Sequence, residues 1–366
     1  MRVLFAASII REKGDVDSFL MDVAKEFAKR VEHIYIVCFQ CDKHPISDKI
    51  TIISCPFRLP LLRVLWLFLI GVKLTLLQQV ELCLCFISET MCLILSLCSK
   101  LTRKKCFFWY CSVYPNRSLK IILSLKLASR ILTCSEKIKH FYAHSFGINS
   151  AKIFNIGHGI RTEKFCKTIS TNLLIQRDDI SKPFTIVSVA RISPVKEWEK
   201  LVFAANQVRE KKNNIKVIAV GSPPAFSTSC MYFKRIKKLI KDLKLDDVWQ
   251  FVGSVPNETL INLYREADVV ILPGYAYKTI LESLAAGKIT LFEKKSASLI
   301  FPPDVVRKVD ILTFTDYLSL SQRLLALLDN KKPFTEATNY LSNFVIREFS
   351  VEQYVSKILQ LAREYK

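Results

Sequence analysis

The stretch VWQFVGSVPNETLINLYREADVVILPG, residues 248–274, decides the fold of this chain. It starts with an apolar run typical of a buried strand and continues with the helical pattern ETLINLYREA. It ends with a second apolar run, VVIL, before a Pro-Gly turn. A strand, a helix and a second strand in this order predict two parallel strands joined by a crossover helix. The stretch therefore indicates the α/β class.

The same alternation continues on both sides of this stretch. FTIVSVAR, a helix over 197–211, IKVIAVGS and a lysine-rich helix over 231–243 precede it, and KTILESLAAGK and the strand TLFEK follow. An earlier series contains RVLFAAS, a helix over 16–30, HIYIVCF, ELCLCF, CFFWY, RILTCS and IFNIG. Two such series predict two doubly wound, Rossmann-like domains that face a cleft, each with a parallel sheet covered on both faces.

The chain length and one polar segment predict the domain boundaries. The 366 residues fit two domains of about 150–200 residues each. Residues 167–183 are polar and lack strand or helix patterning, so we expect a linker there. We expect an N-terminal domain over 1–166, a C-terminal domain over 184–343, and a final helix over 344–366 that packs across both domains.

Charge and cysteine usage exclude several classes of protein. The formal net charge is +21, yet the sequence contains no zinc finger, RNP-type strand or arginine-rich arm, so we expect no nucleic-acid partner. Most of the twelve cysteines lie in apolar runs, which indicates buried thiols in a reducing cytosol. The Cys38–Cys41 pair has no second pair or histidine couple at zinc spacing, so we expect no metal site.

The segment between Arg58 and Arg130 has two interpretations. Its longest apolar run is interrupted by Arg63 and Lys73, which bracket only nine apolar residues, whereas a bilayer core requires about 20. We therefore expect no membrane span, and the N-terminal MRVLFAAS has no signal-peptide pattern. Basic residues alternate with Leu, Ile, Phe and Trp here, which fits either helices on an anionic membrane surface or a plain solvated basic face.

Charged residues and glycines follow the predicted strands of the C-terminal domain. Arg191 and Lys196 follow the first strand at the start of a helix, and Gly221 and Gly253 follow the next two. Two cations at a helix N-terminus suit a diphosphate, because the free N–H groups and the helix dipole add to their charge. The alternative for Arg191 and Lys196 is a solvated cation pair. Glu282, in KTILESLAAGK, is a further charged candidate, and its alternative is an exposed acid at a helix start.

Several blocks of this sequence resemble the retaining GT-B glycosyltransferases, the group 1 type of family 4. They are VSVARISPVKEWEKLVFAANQV, VWQFVGSVPNETLINLYREADVVILP and KTILESLAAGK. The block ASRILTCSEKIKHFYAHSFGINSAKIFNIGHGIRTEKF is similar to the one that closes the N-terminal domain of that family. The resemblance extends from about residue 128 to the C-terminus. It implies a GT-B enzyme that transfers a sugar from a nucleoside diphosphate sugar with retention, without a metal or another cofactor.

The resemblance assigns roles to three residues. Arg191 and Lys196 match the pair that holds the donor diphosphate. Glu282 matches the second acid of the E-x7-E element of the family, which binds the donor ribose. A carboxylate in that place can accept hydrogen bonds from the ribose hydroxyls, and such charge-assisted bonds are strong.

The sequence departs from the family pattern around the same site. Gly274 stands in place of the first E-x7-E glutamate, which contacts the donor sugar in the family, and the loop is shortened to PGYAY. Tyr275 and Tyr277 are the nearest side chains that could contact the sugar instead. Ala190 and Glu197 replace glycines that often flank the cation pair. A non-catalytic relative that binds nucleotide sugar or acts as a scaffold subunit is therefore the alternative to an enzyme.

The N-terminal domain offers fewer candidates. Gly14 follows the first strand, where the family has a glycine-rich loop, and His158 lies in a GHG turn. Both are candidate cleft residues, although a structural role is the more common one for a single histidine. We expect the acceptor to be a glycan or a lipid-linked precursor of a cell-surface glycan. We expect the protein in the cytoplasm, with peripheral attachment to the inner face of the cell membrane as the hypothesis drawn from the basic segment.

Overall fold

The computed structural model describes residues 1–10, 15–41, 47–112, 117–166, 182–212, 214–225 and 227–364. The chain divides into two compact units. Unit 1 comprises Met1–Gly159 and Val351–Lys366, and unit 2 comprises Ile160–Ser350. Each unit contains one parallel sheet with helices, which confirms the predicted α/β architecture.

Unit 1 is built on a seven-stranded sheet within the described residues. Its strands are β1 (Arg2–Ile10), β2 (His33–Cys41), β3 (Ile50–Ser54), β4 (Val80–Phe86), β5 (Lys105–Trp109), β6 (Arg130–Thr133) and β7 (Ile153–Asn155). The spatial order is β3-β2-β1-β4-β5-β6-β7, so the strand order reverses next to β1. This reversal is the topology of a doubly wound sheet, in which ligands bind beyond the carboxyl ends of the strands.

Three helices of unit 1 begin next to a serine that caps them. The helices of this unit are α1 (Asp15–Ala28), α2 (Pro60–Leu76), α3 (Glu89–Leu101), α4 (Leu119–Leu127), α5 (Glu136–Phe146) and, at the end of the chain, α15 (Val351–Glu364). Ser88, Ser118 and Ser135 precede α3, α4 and α5, and each accepts a backbone N–H three residues later. Phe27 of α1 meets Phe5 of β1 edge to face at 5.1 Å between ring centroids, in the core below the sheet.

Unit 2 repeats the same plan with a six-stranded sheet in its described part. Its strands are β8 (Phe184–Val189), β9 (Ile215–Val220), β10 (Trp249–Gly253), β11 (Val269–Leu272), β12 (Thr290–Glu293) and β13 (Thr313–Phe314). They lie in the order β10-β9-β8-β11-β12-β13, so the order reverses between β8 and β11. The opening stretch of the sequence thus forms β10, a helix and β11, as predicted.

The helices of unit 2 cover both faces of this sheet. They are α6 (Thr162–Cys166), α7 (Trp198–Lys211), α8 (Ser227–Asp242), α9 (Asn257–Glu266), α10 (Lys278–Ala285), α11 (Lys294–Ile300), α12 (Pro303–Lys308), α13 (Tyr317–Asp329) and α14 (Lys332–Glu348). Short 3-10 turns occur at Pro194–Lys196 and Asp310–Leu312. Trp198, Leu201 and Ile280 are fully buried in the core that these helices form with the sheet.

The division into units differs from the expected boundaries in two places. The first unit ends at Gly159 rather than at residue 166, because Phe165 of α6 is buried in the core of unit 2. The expected final helix over 344–366 is two helices, α14 in unit 2 and α15 in unit 1. Most of the expected linker, residues 167–181, lies outside the described residues.

Candidate functional site

The turns that follow neighbouring strands of unit 2 are hydrogen-bonded to one another. The N–H of Ala190, after β8, donates to the carbonyl of Val220 at 3.0 Å, and the N–H of Gly221 donates to Gly253 at 2.8 Å. Gly221 has φ +132°, and a Cβ atom there would lie 2.0 Å from the carbonyl oxygen of Ala190. Only glycine fits such a close approach. Gly221 and Gly253 therefore lie beside the turn that carries Arg191.

The predicted cation pair lies at the end of β8. Arg191 is exposed, whereas Lys196 is half-buried and its Nζ donates a hydrogen bond to the backbone oxygen of Tyr275. The same Nζ lies 5.9 Å from the centroid of the Tyr275 ring. Burial lowers the pKa of Lys196 to about 8, and the positive charge of Arg191 lowers it as well. A multivalent anion would relieve this repulsion, so the pair is suited to binding a phosphate group.

The start of α7 differs from the sequence-based expectation that its free N–H groups face an anion. The N–H of Trp198, the first residue of the helix, already donates to the hydroxyl of Tyr232 at 2.8 Å. The indole Nε1 of Trp198 donates to the backbone oxygen of Arg191 at 3.2 Å. Trp198 is fully buried, so it fixes the backbone that carries Arg191. The two cations, rather than that N–H, are the groups available to an anion.

Glu282 lies on α10 and is buried. Its residue exposure is 7%, and its Oε1 lies 3.2 Å from the Nζ of Lys278, one turn earlier on the same helix. The alternative interpretation, an exposed acid at a helix start, does not fit this burial. Lys278 is thus one partner of this carboxylate, whose two oxygens are hydrogen-bond acceptors.

Gly274 occupies a backbone position that admits no side chain. Its φ is +71°, and a Cβ atom would lie 2.5 Å from the carbonyl carbon of Lys196. Its N–H donates to Oε1 of Glu293 at 3.2 Å. Two residues later, the N–H of Ala276 donates to the hydroxyl of Ser296 at 3.2 Å. The shortened loop is therefore packed directly on the backbone of Lys196.

A group of two acids and two lysines surrounds this turn, and sequence reasoning did not find it. Glu293, at the end of β12, is 1% exposed and forms ion pairs with Lys200 and, at 2.8 Å, with Lys295. Glu197 forms ion pairs with the same two lysines at 3.1 and 2.7 Å. Glu197 has φ +48°, the left-handed conformation that glycine adopts more easily. These ion pairs hold it there.

The two acids of this group have opposite pKa shifts. Burial raises the pKa of Glu293, and the neighbouring Glu197 raises it further. Burial also acts to raise the pKa of Glu197, but hydrogen bonds with Glu293, Lys295 and Lys200 outweigh it and lower the pKa to about 2. Glu197 is therefore the acid that holds the negative charge most firmly.

The remaining candidates are two tyrosines of unit 2 and two residues of unit 1. Tyr275 donates its N–H to Val195 at 3.4 Å, and Tyr277 directly precedes α10. In unit 1, Nδ1 of His158 lies 3.1 Å from the carbonyl oxygen of Gly159, and its ring packs 4.4 Å from that of Phe19. These contacts fit the structural role. Gly14 lies outside the described residues.

Comparison with known proteins finds a family match over most of unit 2. Residues 172–333 match the family described as glycosyl transferases group 1. The chain is 27% identical over 173 residues to lipopolysaccharide 1,2-N-acetylglucosaminetransferase of Salmonella typhimurium, and 26% identical over 178 residues to D-inositol 3-phosphate glycosyltransferase of Kribbella flavida. These alignments cover 46% and 47% of this chain but only 44% and 41% of the relatives.

Solved structures match almost the whole chain. Anabaena HepE in complex with UDP and glucose has a TM-score of 0.74 at 15% identity, over 99% of both chains. WaaG, a glycosyltransferase involved in lipopolysaccharide biosynthesis, has a TM-score of 0.70 at 12% identity, over 99% of this chain and 100% of that one. At these identities the likeness shows the fold, which is GT-B. Together with the family match over residues 172–333, it confirms the resemblance to group 1 glycosyltransferases.

Proposed function

We propose that this protein is a retaining glycosyltransferase that takes a sugar from a nucleoside diphosphate sugar. The observation that carries the proposal is the placement of Arg191 and Lys196 at one strand end of unit 2, within the part that matches the family. Glu282 adds a buried carboxylate on the helix that follows β11. HepE, which shares the fold, has been crystallised with UDP and glucose.

The proposed roles follow from the charge of each group. When the bond between the sugar and the diphosphate breaks, negative charge develops on the diphosphate oxygens. Arg191 and Lys196 would stabilise that charge in the transition state. Glu282 would accept hydrogen bonds from the ribose hydroxyls and so fix the position of the nucleoside. In this proposal the chain's own cations neutralise the leaving group without a metal ion.

We propose that the acceptor is a glycan or lipid-linked precursor at an anionic membrane surface on the cytoplasmic side. Three neighbouring helices of unit 1 each expose two or more leucines four residues apart. They are Leu61, Leu65 and Leu69 of α2, Leu97 and Leu101 of α3, and Leu119 and Leu123 of α4. Arg58, Lys73, Lys100, Lys120 and Lys126 are exposed near them in the sequence. Leucines with basic neighbours are suited to anionic lipid headgroups.

No helix among the described residues is long and apolar enough to cross a bilayer. The proposed attachment is therefore interfacial, with the leucines inserted among the headgroups and the basic side chains close to the lipid phosphates.

An activity assay on the full chain tests the proposed function. UDP-, GDP- and ADP-sugars are incubated with the protein and a lipid extract of the source cells, and released nucleoside diphosphate and glycosylated lipid are both measured. We expect release with one donor class, and we expect Glu282→Ala to abolish it. Binding of nucleotide without any release or transfer would instead support a non-catalytic binding or scaffold subunit, and an absence of binding would contradict both.

A further inference from the structure

A layer of small sulfur- and hydroxyl-bearing side chains lies between α3 and the sheet of unit 1. Cys83 and Cys85 of β4 and Cys106 of β5 are buried, as are Cys92 and Cys98 of α3. In the strand register Cys83 is opposite Cys106, so Cys85 lies diagonally across from Cys106 on the same face. Close packing of a helix on a sheet explains why these side chains are small, but it does not require their sulfurs to converge.

Three of these sulfurs do converge. The Sγ atoms of Cys85, Cys92 and Cys106 all lie within 4.8 Å of one another, and those of Cys85 and Cys106 are 3.9 Å apart. An ion equidistant from the three sulfurs would lie about 2.3 Å from each if all edges were 3.9 Å and about 2.6 Å from each if the other two edges were 4.8 Å, close to the roughly 2.3 Å of a zinc–thiolate bond. The two strands and the helix therefore present three potential metal ligands at nearly the correct separation.

Ser96, one turn after Cys92 on α3, contacts two of these sulfurs. Its hydroxyl donates a hydrogen bond to Sγ of Cys106 at 3.3 Å and lies 3.7 Å from Sγ of Cys92. Groups that hydrogen-bond to metal ligands orient them and tune their basicity. A hydroxyl that donates to sulfur is the arrangement that stabilises a coordinating thiolate.

The number of ligands and the burial together restrict the metal. Among the described residues the group contains no fourth His, Cys, Asp or Glu, and all three cysteines are at most 1% exposed. Zinc takes four ligands, and a water molecule as the fourth would require solvent access that this burial does not give. Soft thiolates in a three-coordinate, dry site favour Cu(I).

We propose that Cys85, Cys92 and Cys106 form a three-coordinate binding site for a thiophilic ion of the Cu(I) type. The ion keeps its oxidation state, and three metal–sulfur bonds replace the S–H bonds of those cysteines that are still protonated. The released protons pass to solvent, so apparent affinity increases with pH. Because the ligands come from β4, α3 and β5, a bound ion would cross-link the interior of unit 1. This proposal is independent of the proposed transfer reaction.

Anaerobic titration of the reduced full chain with Cu(I), against a chromophoric Cu(I) chelator, tests the proposal. We expect the wild-type protein to retain one equivalent and Cys92→Ser to lose it. Cys83→Ser and Cys98→Ser are matched controls, because both positions are buried in the same layer but lie outside the triangle, and they should retain the ion. Ser96→Ala should weaken retention by about 10- to 100-fold, as for other groups that support metal ligands.

Stability supplies a second readout if a cysteine variant does not fold. One equivalent of Cu(I) should raise the unfolding temperature of the wild-type protein, because the ion binds the folded state, and it should raise that of Ser96→Ala less. Failure of the folded wild-type chain to retain Cu(I) against the chelator would overturn the proposal. Equal retention by wild type and Cys92→Ser would also overturn it.

Discussion

The cationic residues at the strand-end turns of unit 2 and those around α2, α3 and α4 of unit 1 have opposite surroundings. In unit 2, Lys196 and Lys200 are partly buried and held by specific partners, Lys196 by the carbonyl of Tyr275 and Lys200 by Glu293. In unit 1, Arg58 and Lys120 are exposed beside exposed leucines. Partly dehydrated cations with defined partners favour a small anion with defined geometry, whereas solvated cations favour an extended anionic surface. The two proposals therefore assign the cations of the chain to two different kinds of binding.

The largest effect that we expect comes from Glu293→Ala. Removing this buried carboxylate leaves the N–H of Gly274 without its acceptor and leaves Lys200 and Lys295 with Glu197 as their remaining carboxylate partner. Breaking a buried ion pair in this way costs about 3–5 kcal/mol of unfolding free energy. Thermal and urea unfolding measure the loss.

The control for Glu293→Ala is Asp310→Ala, which removes the ion-pair partner of both Lys294 and Arg323. Both ion pairs are partly exposed, and pairs at the surface contribute about 1 kcal/mol or less each. Equal losses of unfolding free energy in the two variants would show that the buried carboxylate of Glu293 contributes no more to stability than a surface carboxylate does.

The second effect concerns Gly274. Gly274→Ala would combine a positive φ with a clash against the backbone of Lys196, at a cost of about 2–5 kcal/mol. Gly147→Ala is the control, because Gly147 has φ +60° but no atom within 4 Å of its Cβ position. It should lose only the strain of the left-handed conformation, about 1 kcal/mol.

The same geometry predicts the outcome of restoring the acid of the family at this position. Gly274→Glu should not increase sugar transfer, because the turn would have to move away from Lys196 before any side chain could fit. A clear gain in transferase activity would show that the family geometry survives in this loop and that the natural protein is a disabled enzyme.

A third effect tests the leucines of unit 1. The combined variant is Leu61→Ser/Leu65→Ser/Leu69→Ser. The three leucine residues are 79%, 53% and 59% exposed. If each contributes even about 1 kcal/mol by inserting into lipid, partitioning onto vesicles should fall by about 100-fold. Flotation with phosphatidylserine-containing vesicles at low and high salt measures it.

Met231→Ser is the control for the leucine variant, because Met231 is 62% exposed but lies on α8 of unit 2. It should leave flotation unchanged. If the wild-type protein does not float even at low salt, the basic residues of unit 1 are merely solvated and the interfacial proposal fails.

The smallest effect is a pH dependence. Because burial and Arg191 lower the pKa of Lys196 to about 8, the amine loses its charge as pH rises through that value. Affinity for a nucleoside diphosphate should be full below pH 8 and decline above it, by at most tenfold per pH unit. A bound anion raises the pKa of Lys196, so the affinity begins to decline at the pKa of the anion-free protein, about 8. Lys196→Arg should abolish the decline, because arginine stays charged. A parallel decline in that variant would assign it to another group.

Sequence patterns predicted the fold better than the surroundings of the site. Alternating strands and helices are local features, so the parallel sheets could be read from runs such as FTIVSVAR and VVIL. Arg191 and Lys196 were predicted because strand ends are where ligands bind in such sheets. The burial of Glu282 was not predicted, since it depends on the packing of α10 within unit 2.

The acid–lysine group and the leucine face show what sequence patterns leave open. Glu293 and Lys295 meet Lys200 and Glu197 only because β12 and α11 are brought to the start of α7 by the fold. In α2 the run PLLRVLWLFLIGVKLTL has apolar residues around the whole helix and only two charged ones, Arg63 and Lys73, so periodicity alone does not tell which leucines face solvent.

The central claim is that the strand-end turns of unit 2 form a nucleoside diphosphate site, and calorimetric titration tests it most directly. UDP, GDP and ADP are titrated into the wild-type protein, Arg191→Ala, Lys196→Ala and the control Lys238→Ala, an exposed lysine of α8. We predict that one nucleotide binds with a clear preference. Either site variant should weaken it by about 1.5–3 kcal/mol, roughly 10- to 150-fold, while the control should bind like wild type. Unchanged affinity in both site variants, with folding intact, would contradict the account.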